Sequence, residues 1–516
     1  MFNIPTVTVA SETLGSAASS VTLTYAAPAG VAWTPRHLVL RVNAKSTTAA
    51  AVVGGRLQLN GDTGSNYNSQ ELYGVGTGKT ATRDSSVTSY FMGGLDGDDS
   101  NEFGGGELLI PDALSTRTHK SLLNFTGANE AFVGLVAGRW ASTAAVTSIN
   151  YSASSGNLDA GSTFELCVVD ESFNVSETIL TSNSSSAGFA ITGISAADGD
   201  LVCIGTLRST RNGNADSVRT RLNGDTTDTN YNTQRMFGDA NTAGTSSQNL
   251  SQNAVCTAAS SEANSFGAYV NQITNFSDGS NDRVQTTLNG FHEGTTPRSY
   301  VAVESTRWNN TAAVTAVQQY CNGYSFVTGS MMSIYAVPKN LIERIEITGD
   351  SEGSKTFADI SQEYDHLELS IYARSARSNT VDDMFVYFNS DTTAGNYAAQ
   401  RLSGTDSTVS ASTSATEPSI TTIAAANASS DEFSAGSITI SNYTKTDRHK
   451  HHIASVGTSV RTTLNSNRWA STAAITSITL VPVSASNFLT GTTFELRGIS
   501  STITEALPAA GYTIFF

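Results

Sequence analysis

Carboxylates recur in a short polar block that appears three times along the 516 residues of the chain. Each block reads Asn-Gly-Asp-Thr or Asn-Ser-Asp-Thr and is followed by an Asn-Tyr pair and a Gln. Oxygen-bearing side chains at this spacing could bind calcium, because hard cations prefer carboxylate and carbonyl ligands. The members are Asn60, Asp62, Tyr67 and Gln70 in the first copy, Asn223, Asp225, Tyr231 and Gln234 in the second, and Asn389, Asp391, Tyr397 and Gln400 in the third.

A tight turn is the alternative interpretation of this block. Asn-Gly and Asn-Ser favour such turns, with side chains bonded to the local backbone and the tyrosine packed against them. Calcium-binding EF-hand loops carry several more acidic ligands than this block offers. We therefore favour a scaffold role and predict that the three aspartates bind no metal.

An arginine directly before a tryptophan marks a second repeated block, in which Thr-Ala-Ala begins three residues after the tryptophan. Such a pair can stack on a sugar or form a binding hot spot, whereas a tryptophan at the start of a core strand is usually buried. Successive residues of a strand face opposite sides, so we predict that the tryptophan packs inward and the arginine points outward. The pairs are Arg139 with Trp140, Arg307 with Trp308, and Arg468 with Trp469.

A repeated cation stands fifteen residues before each shared asparagine, at Lys45, Arg208 and Arg374. We predict that it pairs with the repeated aspartate as a scaffold bond.

Histidines cluster in the third copy alone, where Asp447 is followed by His449, His451 and His452. Imidazoles and a carboxylate could bind a transition metal. The first copy has Arg-Thr-His-Lys at 117–120 in the comparable place, which is typical of a solvated strand. We favour the solvated strand and predict no metal there.

Recognisable catalytic motifs are missing from the sequence, which has no Gly-x-Ser-x-Gly elbow, phosphate-binding glycine loop or His-Glu-x-x-His. Adjacent carboxylates at 98–99 and 382–383 stand in polar, loop-like runs. We therefore predict a protein without enzymatic activity and without a cofactor. A glycosidase with two carboxylates on separate strands is the remaining enzymatic alternative.

The spacing of the blocks predicts the domain organisation. The tryptophans are 168 and 161 residues apart, and the shared asparagines 163 and 166. This period is far longer than the about 20–50 residues of solenoid or propeller repeats, so each copy should be a complete domain. Alternating apolar residues such as Leu38, Leu40 and Val42 predict half-buried strands. We predict an all-β protein of three tandem β-sandwich, jelly-roll-like domains at 1–170, 171–339 and 340–516, packed in a fixed row.

Charge and composition limit the partners. The formal net charge of −16 argues against a nucleic-acid partner, which needs clustered Lys and Arg. The chain contains no run of 18 apolar residues and does not begin with a signal-peptide pattern, so we expect no membrane insertion and synthesis in a cytoplasm. The four widely spaced cysteines are interpreted as buried small residues.

Several blocks of the third copy resemble a module of virion structural proteins from tailed bacteriophages. They are Tyr-Asp-His-Leu-Glu-Leu at 364–369, Phe-Asn-Ser-Asp-Thr at 388–392, the Arg-Trp block, and Gly-Thr-Thr-Phe-Glu-Leu at 491–496. The resemblance implies a virion component, such as a surface-displayed tail, fibre or adhesin-type protein that contacts a host surface glycan or neighbouring virion proteins. Alternatives are a capsid decoration or cement protein and a carbohydrate-binding or glycan-hydrolysing spike. It also implies a homotrimer whose sandwiches share a threefold axis.

The C-terminal segment carries more apolar surface than a free terminus should expose. Tyr512, Ile514 and Phe516 alternate as a half-buried strand does. We expect this segment either to add a strand to the third domain or to dock on the sheet edge of a neighbouring subunit.

Overall fold

The structure is a computed structural model that describes residues 4–98, 101–185, 188–194, 199–293, 298–338, 342–350, 352–483 and 486–499. Within these ranges the chain forms 36 strands, three single 3-10 turns and no α-helix. The three turns are Glu171–Phe173, Asp228–Asn230 and Ala394–Asn396. The predicted all-β class is confirmed.

Twelve strands belong to each copy of the repeat, and strands at the same place in the three copies differ by twelve in number. The first copy contains β1 (Thr6–Thr13), β2 (Ser20–Thr24), β3 (Leu38–Ala44), β4 (Val53–Leu59), β5 (Tyr67–Val75), β6 (Gly78–Val87), β7 (Tyr90–Leu95), β8 (Gly104–Ile110), β9 (Lys120–Ala128), β10 (Phe132–Trp140), β11 (Ser148–Ala153) and β12 (Thr163–Val169).

The second and third copies repeat this series. The second contains β13 (Asn174–Ile179), β14 (Phe189–Thr192), β15 (Gly199–Leu207), β16 (Ala215–Leu222), β17 (Tyr231–Asp239), β18 (Thr242–Gln248), β19 (Gln252–Thr257), β20 (Gly267–Thr274), β21 (Arg283–His292), β22 (Ser299–Trp308), β23 (Ala316–Cys321) and β24 (Met331–Pro338). The third contains β25 (Glu343–Glu346), β26 (Lys355–Phe357), β27 (His366–Ala373), β28 (Val381–Phe388), β29 (Tyr397–Thr405), β30 (Thr408–Ser414), β31 (Ser419–Ala424), β32 (Ser434–Ile440), β33 (Lys450–Gly457), β34 (Arg461–Trp469), β35 (Ile478–Pro482) and β36 (Thr493–Ile499).

Each copy folds into one eight-stranded and one four-stranded antiparallel sheet. In the first copy the larger sheet has the order β1-β12-β3-β8-β9-β10-β5-β6 and the smaller one β2-β11-β4-β7. The other two copies have the same two orders. The two sheets of each copy pack face to face over a core of their own.

Burial differs between the two sheets. In the smaller sheet, β4 alternates between buried and partly exposed residues, with Val53, Leu57 and Leu59 turned to the core. This is the pattern expected when one face of a sheet meets solvent. In the larger sheet, every residue of β9 and β10 is buried. The middle of the larger sheet is therefore covered on both faces, whereas its edge strands β1 and β6 are partly exposed.

A core shared by all three copies covers the second face of the larger sheets. Leu135, Val303 and Leu464 each stand five residues before the repeated tryptophan, and all three lie in this core with no exposed surface. Three further residues at equivalent positions of β5, β17 and β29 also lie in this core: Leu72, Met236 and Leu402. Each copy touches both others, so the three copies surround a common pseudo-threefold axis.

The predicted fixed row of domains is wrong, because the first and third copies contact each other directly. For example, Asn442 donates a hydrogen bond to Thr163 at 3.0 Å. The physical reason is that each copy has apolar residues on the same outer face of its larger sheet. A closed ring covers that face in all three copies, whereas a row would leave part of it in water.

Candidate functional site

The repeated asparagine forms a tight turn after β4, β16 and β28. Asn60, Asn223 and Asn389 have φ of 54°, 51° and 51°, and the next residue also has a positive φ. Two consecutive positive φ values are typical of a type I′ turn, which explains the preference for Asn-Gly. The Asn60 side-chain oxygen then accepts hydrogen bonds from the backbone N–H groups of Thr147 and Ser148, at 2.7 and 3.1 Å. The turn is thereby tied to the segment that follows the tryptophan.

The repeated aspartate joins the two sequence blocks. Asp62 accepts hydrogen bonds from the indole N–H of Trp140 at 2.7 Å, from Asn66 at 2.9 Å and from the Gly64 backbone at 2.8 Å. Asp225 and Asp391 accept from Trp308 and Trp469 at 2.8 Å each. Both carboxylate oxygens are thus engaged by donors of the protein itself.

The electrostatics of the third aspartate reflect this hydrogen bonding. Burial raises the pKa of Asp391, but the hydrogen bonds from Trp469 and Asn396 outweigh it and lower the pKa to about 2. The carboxylate is therefore ionised at neutral pH, and its negative charge is stabilised by neutral N–H groups.

The tyrosine and the tryptophan complete this cluster. The side chains of Trp140, Trp308 and Trp469 are buried. Tyr67 stacks on Trp140 with ring centroids 6.5 Å apart, and its hydroxyl accepts the Leu59 backbone N–H at 2.8 Å. The arrangement binds a turn, two strands and an indole into one unit.

Replacing Asp225 by alanine is expected to lower the free energy of unfolding by about 1–2 kcal/mol. The indole of Trp308 and the amide of Asn230 would lose their common acceptor, now 2.8 and 2.7 Å away. Urea unfolding followed by tryptophan fluorescence measures the change. Asp228→Ala is the matched control, because its exposed carboxylate pairs with Arg219 at the surface, and we expect a change within about 0.5 kcal/mol.

The same proteins test the prediction that the repeated aspartates bind no metal. We expect a chelator to leave the melting temperature of the parent protein unchanged. A chelator-induced fall that calcium reverses, and that Asp225→Ala abolishes, would overturn the scaffold interpretation.

The repeated arginines bond the copies to one another. Arg139 donates to Glu262 of the second copy at 2.9 Å, and Arg307 donates to the Ser430 carbonyl of the third copy at 3.0 Å. Arg468 completes the ring by donating to Glu130 of the first copy at 2.8 Å. The arginines point away from the core between the two sheets of their own copy, as predicted for residues next to the tryptophan. They are largely buried all the same, because their side of the sheet faces a neighbouring copy.

The glutamine of the repeated block also lies between copies. Gln70 donates to the Ala240 carbonyl of the second copy at 2.9 Å, and Gln400 donates to the Gly76 carbonyl of the first copy at 3.0 Å. Gln234 instead bonds within its own copy, to Thr245 at 2.6 Å. Two of the three glutamines thus add polar contacts around the axis.

The predicted pairing of the repeated cation with the repeated aspartate is wrong. Arg208 donates to four backbone carbonyls in the loop between β19 and β20, and Arg374 does the same between β31 and β32. Lys45 lies 3.7 Å from Asp159. The loop shaped by Arg208 carries Glu262, the partner of Arg139. The cation therefore supports the contact between copies.

A second set of buried cations was missed by the sequence interpretation. Lys120, Arg283 and Lys450 each pair with the repeated tryptophan across the strands. Lys120 and Lys450 each donate to three backbone carbonyls, and burial lowers the pKa of both to about 8. The signal available in the sequence is a cation at the first position of the strand that precedes each tryptophan strand.

The histidines of the third copy do not converge on one point. His451 lies 3.1 Å from the Ser466 hydroxyl, and His452 packs edge-on against Phe388 on the opposite face of β33. His449 lies 3.7 Å from Glu102 of the first copy. The prediction that this segment is a solvated strand is wrong, because every residue of β33 is buried. Burial lowers the pKa of His451 to about 4 and that of His452 to about 3.

Three carboxylates of one loop lie close together in the first copy. Asp96, Asp98 and Glu102 place ligand atoms within 4.8 Å of one another, the one such group found among the described residues. Burial and the charge of Glu102 raise the pKa of Asp96 to about 7. Arg468 pairs with Glu102 and so supplies a positive charge from the third copy. We assign the group to the interface between copies and place no metal there.

The remaining sequence predictions concern thiols and the C-terminal segment. All four cysteines are buried free thiols: Cys167, Cys203, Cys256 and Cys321. Tyr512, Ile514 and Phe516, predicted to dock on a subunit, lie outside the described residues. Within the described ranges, the structure contains no helix that is long enough and apolar enough to cross a membrane.

Comparisons with known proteins show no family for this chain. No protein-family model and no curated protein matches it. Similar solved structures include the outer-membrane porins OccK5 (OpdH) and OccK7 (OpdD) of Pseudomonas aeruginosa, at 7% and 9% identity over 84% of this chain and 98% and 100% of theirs. OccAB4 of Acinetobacter baumannii has 10% identity over 83% of this chain and 97% of its own. The TM-score is 0.09 for all three, so the likeness carries no argument about fold or function.

These findings contradict the interpretation as a virion protein. No family model and no curated protein matches the chain, and none of the solved structures named above is a virion protein. The resemblance to tailed-phage modules, the virion location and the tail, fibre, adhesin, capsid-decoration and spike roles are therefore withdrawn. Two of the short blocks that suggested them, Phe-Asn-Ser-Asp-Thr and the Arg-Trp block, are accounted for by the turn, the Asp–Trp bond and the contacts between copies.

Proposed function

We propose that this chain is a non-catalytic scaffold that holds three equivalent sandwich surfaces around one axis. The observation that carries the proposal is the core shared by all three copies. The repeated polar residues support it, because their side chains stabilise turns or bond one copy to the next. Stability of the assembly, rather than chemistry on a substrate, accounts for their repetition.

The strand order supports a jelly-roll origin for each copy, with domains at 1–170, 171–339 and 340–516. In the first copy, the series β1-β12-β3-β8 and β2-β11-β4-β7 has the neighbour relations of a jelly roll of eight strands. The hairpins β5-β6 and β9-β10 are insertions that extend the larger sheet. These hairpins and their counterparts carry Leu72, Leu135 and other residues of the shared core. We infer that the insertions are what joins three sandwiches into a ring.

Binding through a broad apolar face has little support. Four large apolar residues are exposed in the described part of the chain, and they are scattered: Val75, Val175, Tyr324 and Val483. The net charge of −16 also disfavours nucleic acid. We infer that partners bind through polar loops, and that three equal binding surfaces would raise the overall affinity through multivalency.

Spin labels at equivalent exposed positions test the scaffold. Thr63, Thr226 and Thr392 each follow the repeated aspartate and are exposed. Cysteine replacements at pairs of these positions can be labelled selectively, because the native cysteines are buried. Electron–electron distance measurements should give three narrow distributions with similar means. Broad distributions, or one distance near the sum of the other two, would contradict the scaffold.

The oligomeric state is a separate prediction. The sequence predicts a homotrimer. In the structure, the outer face of each larger sheet is buried by the other two copies of the same chain. We therefore expect light scattering coupled to gel filtration to give 54.0 kDa, the mass of one chain, at micromolar concentration. A mass three times larger would restore the homotrimer.

A further inference from the structure

A cavity of about 280 Å³ opens at one end of the second sandwich, where the two sheets diverge. Arg211 and Asp216 lie on the side of the smaller sheet, and Phe237, Arg298 and Tyr300 lie on the side of the larger one. The cavity combines charged, polar and aromatic side chains, which is the composition of a small-ligand site.

The other two copies fill the same place with their own side chains. Tyr300 stands eight residues before Trp308, where the first copy has Phe132 and the third has Arg461. Phe132 stacks on Tyr73 with centroids 5.5 Å apart and meets Phe91 edge-on at 6.5 Å. In the third copy, charged side chains fill the space: Arg401 and Arg461 pair with Asp383, and Arg377 pairs with Asp382. In the second copy the cavity occupies this place.

An aromatic wall lines one side of this cavity. Phe237 stacks on Tyr300 with centroids 5.6 Å apart, and Phe291 supports Tyr300 from behind at 6.2 Å. These rings form a small apolar cluster with Ala215 and Val255. The wall could bury an apolar group of a ligand.

The guanidinium groups at the mouth are only loosely paired. Arg211 lies 3.7 Å from Asp216, and Arg298 lies 3.5 Å from Asp239, with about half of each arginine side chain exposed. Arg235, deeper in the cavity, is instead bonded to the buried Glu304 at 2.9 Å. The two arginines at the mouth are therefore available to an anionic group, whereas Arg235 is already neutralised.

Asp216 supplies a negative charge on the floor. The residue is 5% exposed. Burial raises the pKa of its carboxyl group and outweighs the hydrogen bonds from Ser209 and Cys321, which act to lower it. Its Oδ1 atom accepts the Ser217 backbone N–H at 2.9 Å. The nearest cation, Arg211, is 3.7 Å away. A buried carboxylate is costly unless a cation pairs with it, so an ammonium group of a ligand would be stabilised there.

We propose that this cavity binds a small zwitterion of the α-amino acid class. The ligand carboxylate lies between Arg211 and Arg298 at the mouth, the ammonium group lies at Asp216, and the ligand side chain packs on Phe237 and Tyr300. The two arginines at the mouth balance Asp216 and Asp239 in number, so the site favours a dipolar ligand over one with a net charge. This proposal does not depend on the scaffold function.

Titration calorimetry with the full chain tests the proposal. The probes are phenylalanine, phenylalaninamide, 3-phenylpropionate and glucose, of which the amide lacks the carboxylate and the propionate lacks the ammonium group. We expect saturable binding of phenylalanine at one site, at least tenfold tighter than that of the other three. Equal binding of either analogue or of glucose, or no binding of phenylalanine at millimolar concentration, would overturn the proposal.

Two variants locate the site. Gln252 pairs with Arg219 across the strands as Phe91 pairs with Arg56 in the first copy. Gln252→Phe should therefore fill the cavity and abolish binding. Asp216→Asn should weaken binding at least tenfold, and Arg221→Gln, which alters an arginine stacked on Tyr320 outside the cavity, should leave it unchanged.

Thermal unfolding of each variant shows whether it is folded. If Gln252→Phe fails to fold, the comparison of Asp216→Asn with Arg221→Gln decides. Unchanged binding in a folded Gln252→Phe or Asp216→Asn protein would overturn the assignment of the site.

Discussion

Replacement of Gly290 by valine is expected to lower the free energy of unfolding by about 3 kcal/mol. Gly290 lies in β21, at the contact between the second copy and the first. A Cβ atom at this position would lie 2.3 Å from the Ala137 side chain of the first copy and 2.5 Å from the Tyr300 carbonyl oxygen. Both neighbours belong to packed strands, so β21 must shift out of the interface. Urea unfolding of the full chain measures the loss.

A second glycine provides the control. A Cβ atom at Gly279 would have no neighbouring atom within 4 Å, and the φ of this residue lies outside the left-handed region. Gly279→Val should change the unfolding free energy by no more than about 0.5 kcal/mol. Similar losses of unfolding free energy from both variants would mean that valine destabilises this chain through its effect on the backbone. The close approach of Gly290 to the first copy would then not explain the loss.

Arg307→Met is expected to lower the free energy of unfolding by about 3–5 kcal/mol. The arginine donates to Asp282 at 2.7 Å and to the third copy through the Ser430 carbonyl. Both side chains of the ion pair are buried. The variant would leave the Asp282 carboxylate in a buried place without its cation.

The loss should depend on pH. Burial raises the pKa of Asp282 to about 6, although Arg307 acts to lower it. A carboxyl group whose pKa is raised in the folded state stabilises the fold below its unfolded pKa, and this contribution is lost as the pH rises through the folded pKa. Removal of Arg307 raises the folded pKa further. The loss of unfolding free energy caused by Arg307→Met should therefore be larger at pH 8 than at pH 5.

Arg139→Met is the matched control, because Arg139 has the same place in the first copy. Its partner Glu262 is 42% exposed, so the unpaired carboxylate would stay hydrated. We expect a loss of at most about 1 kcal/mol for the ion pair, with little dependence on pH. Equal, pH-independent losses from the two variants would contradict the role given to the buried Asp282.

Local features of the fold could be predicted from the sequence because they depend on neighbouring residues. Alternation at Leu38, Leu40 and Val42 identified the strand β3, although the predicted half-burial is wrong because every residue of β3 is buried. Asn60 before a glycine identified a turn. The ring of copies could not be predicted in this way. Leu135 and Trp140 lie on opposite faces of β10. Leu135 lies in the shared core and Trp140 in the first copy's own core. When both faces are buried, alternation no longer says which one meets solvent.

The candidate site was predictable in its parts and not in its connections. The aspartate and the tryptophan were each recognised as repeated, but the bond between Asp62 and Trp140 joins residues 78 positions apart. The partner of Arg139 is 123 positions away, in another copy. The burial of Lys120 was not predictable, because lysine is rarely buried. Its cage of backbone carbonyls exists only after the loops around it have folded.

Joining three copies in one chain also changes what a single substitution can do. In a trimer of identical subunits every substitution appears three times, so a side chain that suits one position around the axis is imposed on the other two. In this chain the three positions are encoded separately. Equivalent places in the three copies differ accordingly: aromatic rings fill the first, an arginine network fills the third, and the second contains the cavity. A ligand of the cavity in the second copy would therefore bind once per chain. That one site could change in sequence without altering the equivalent places in the other two copies.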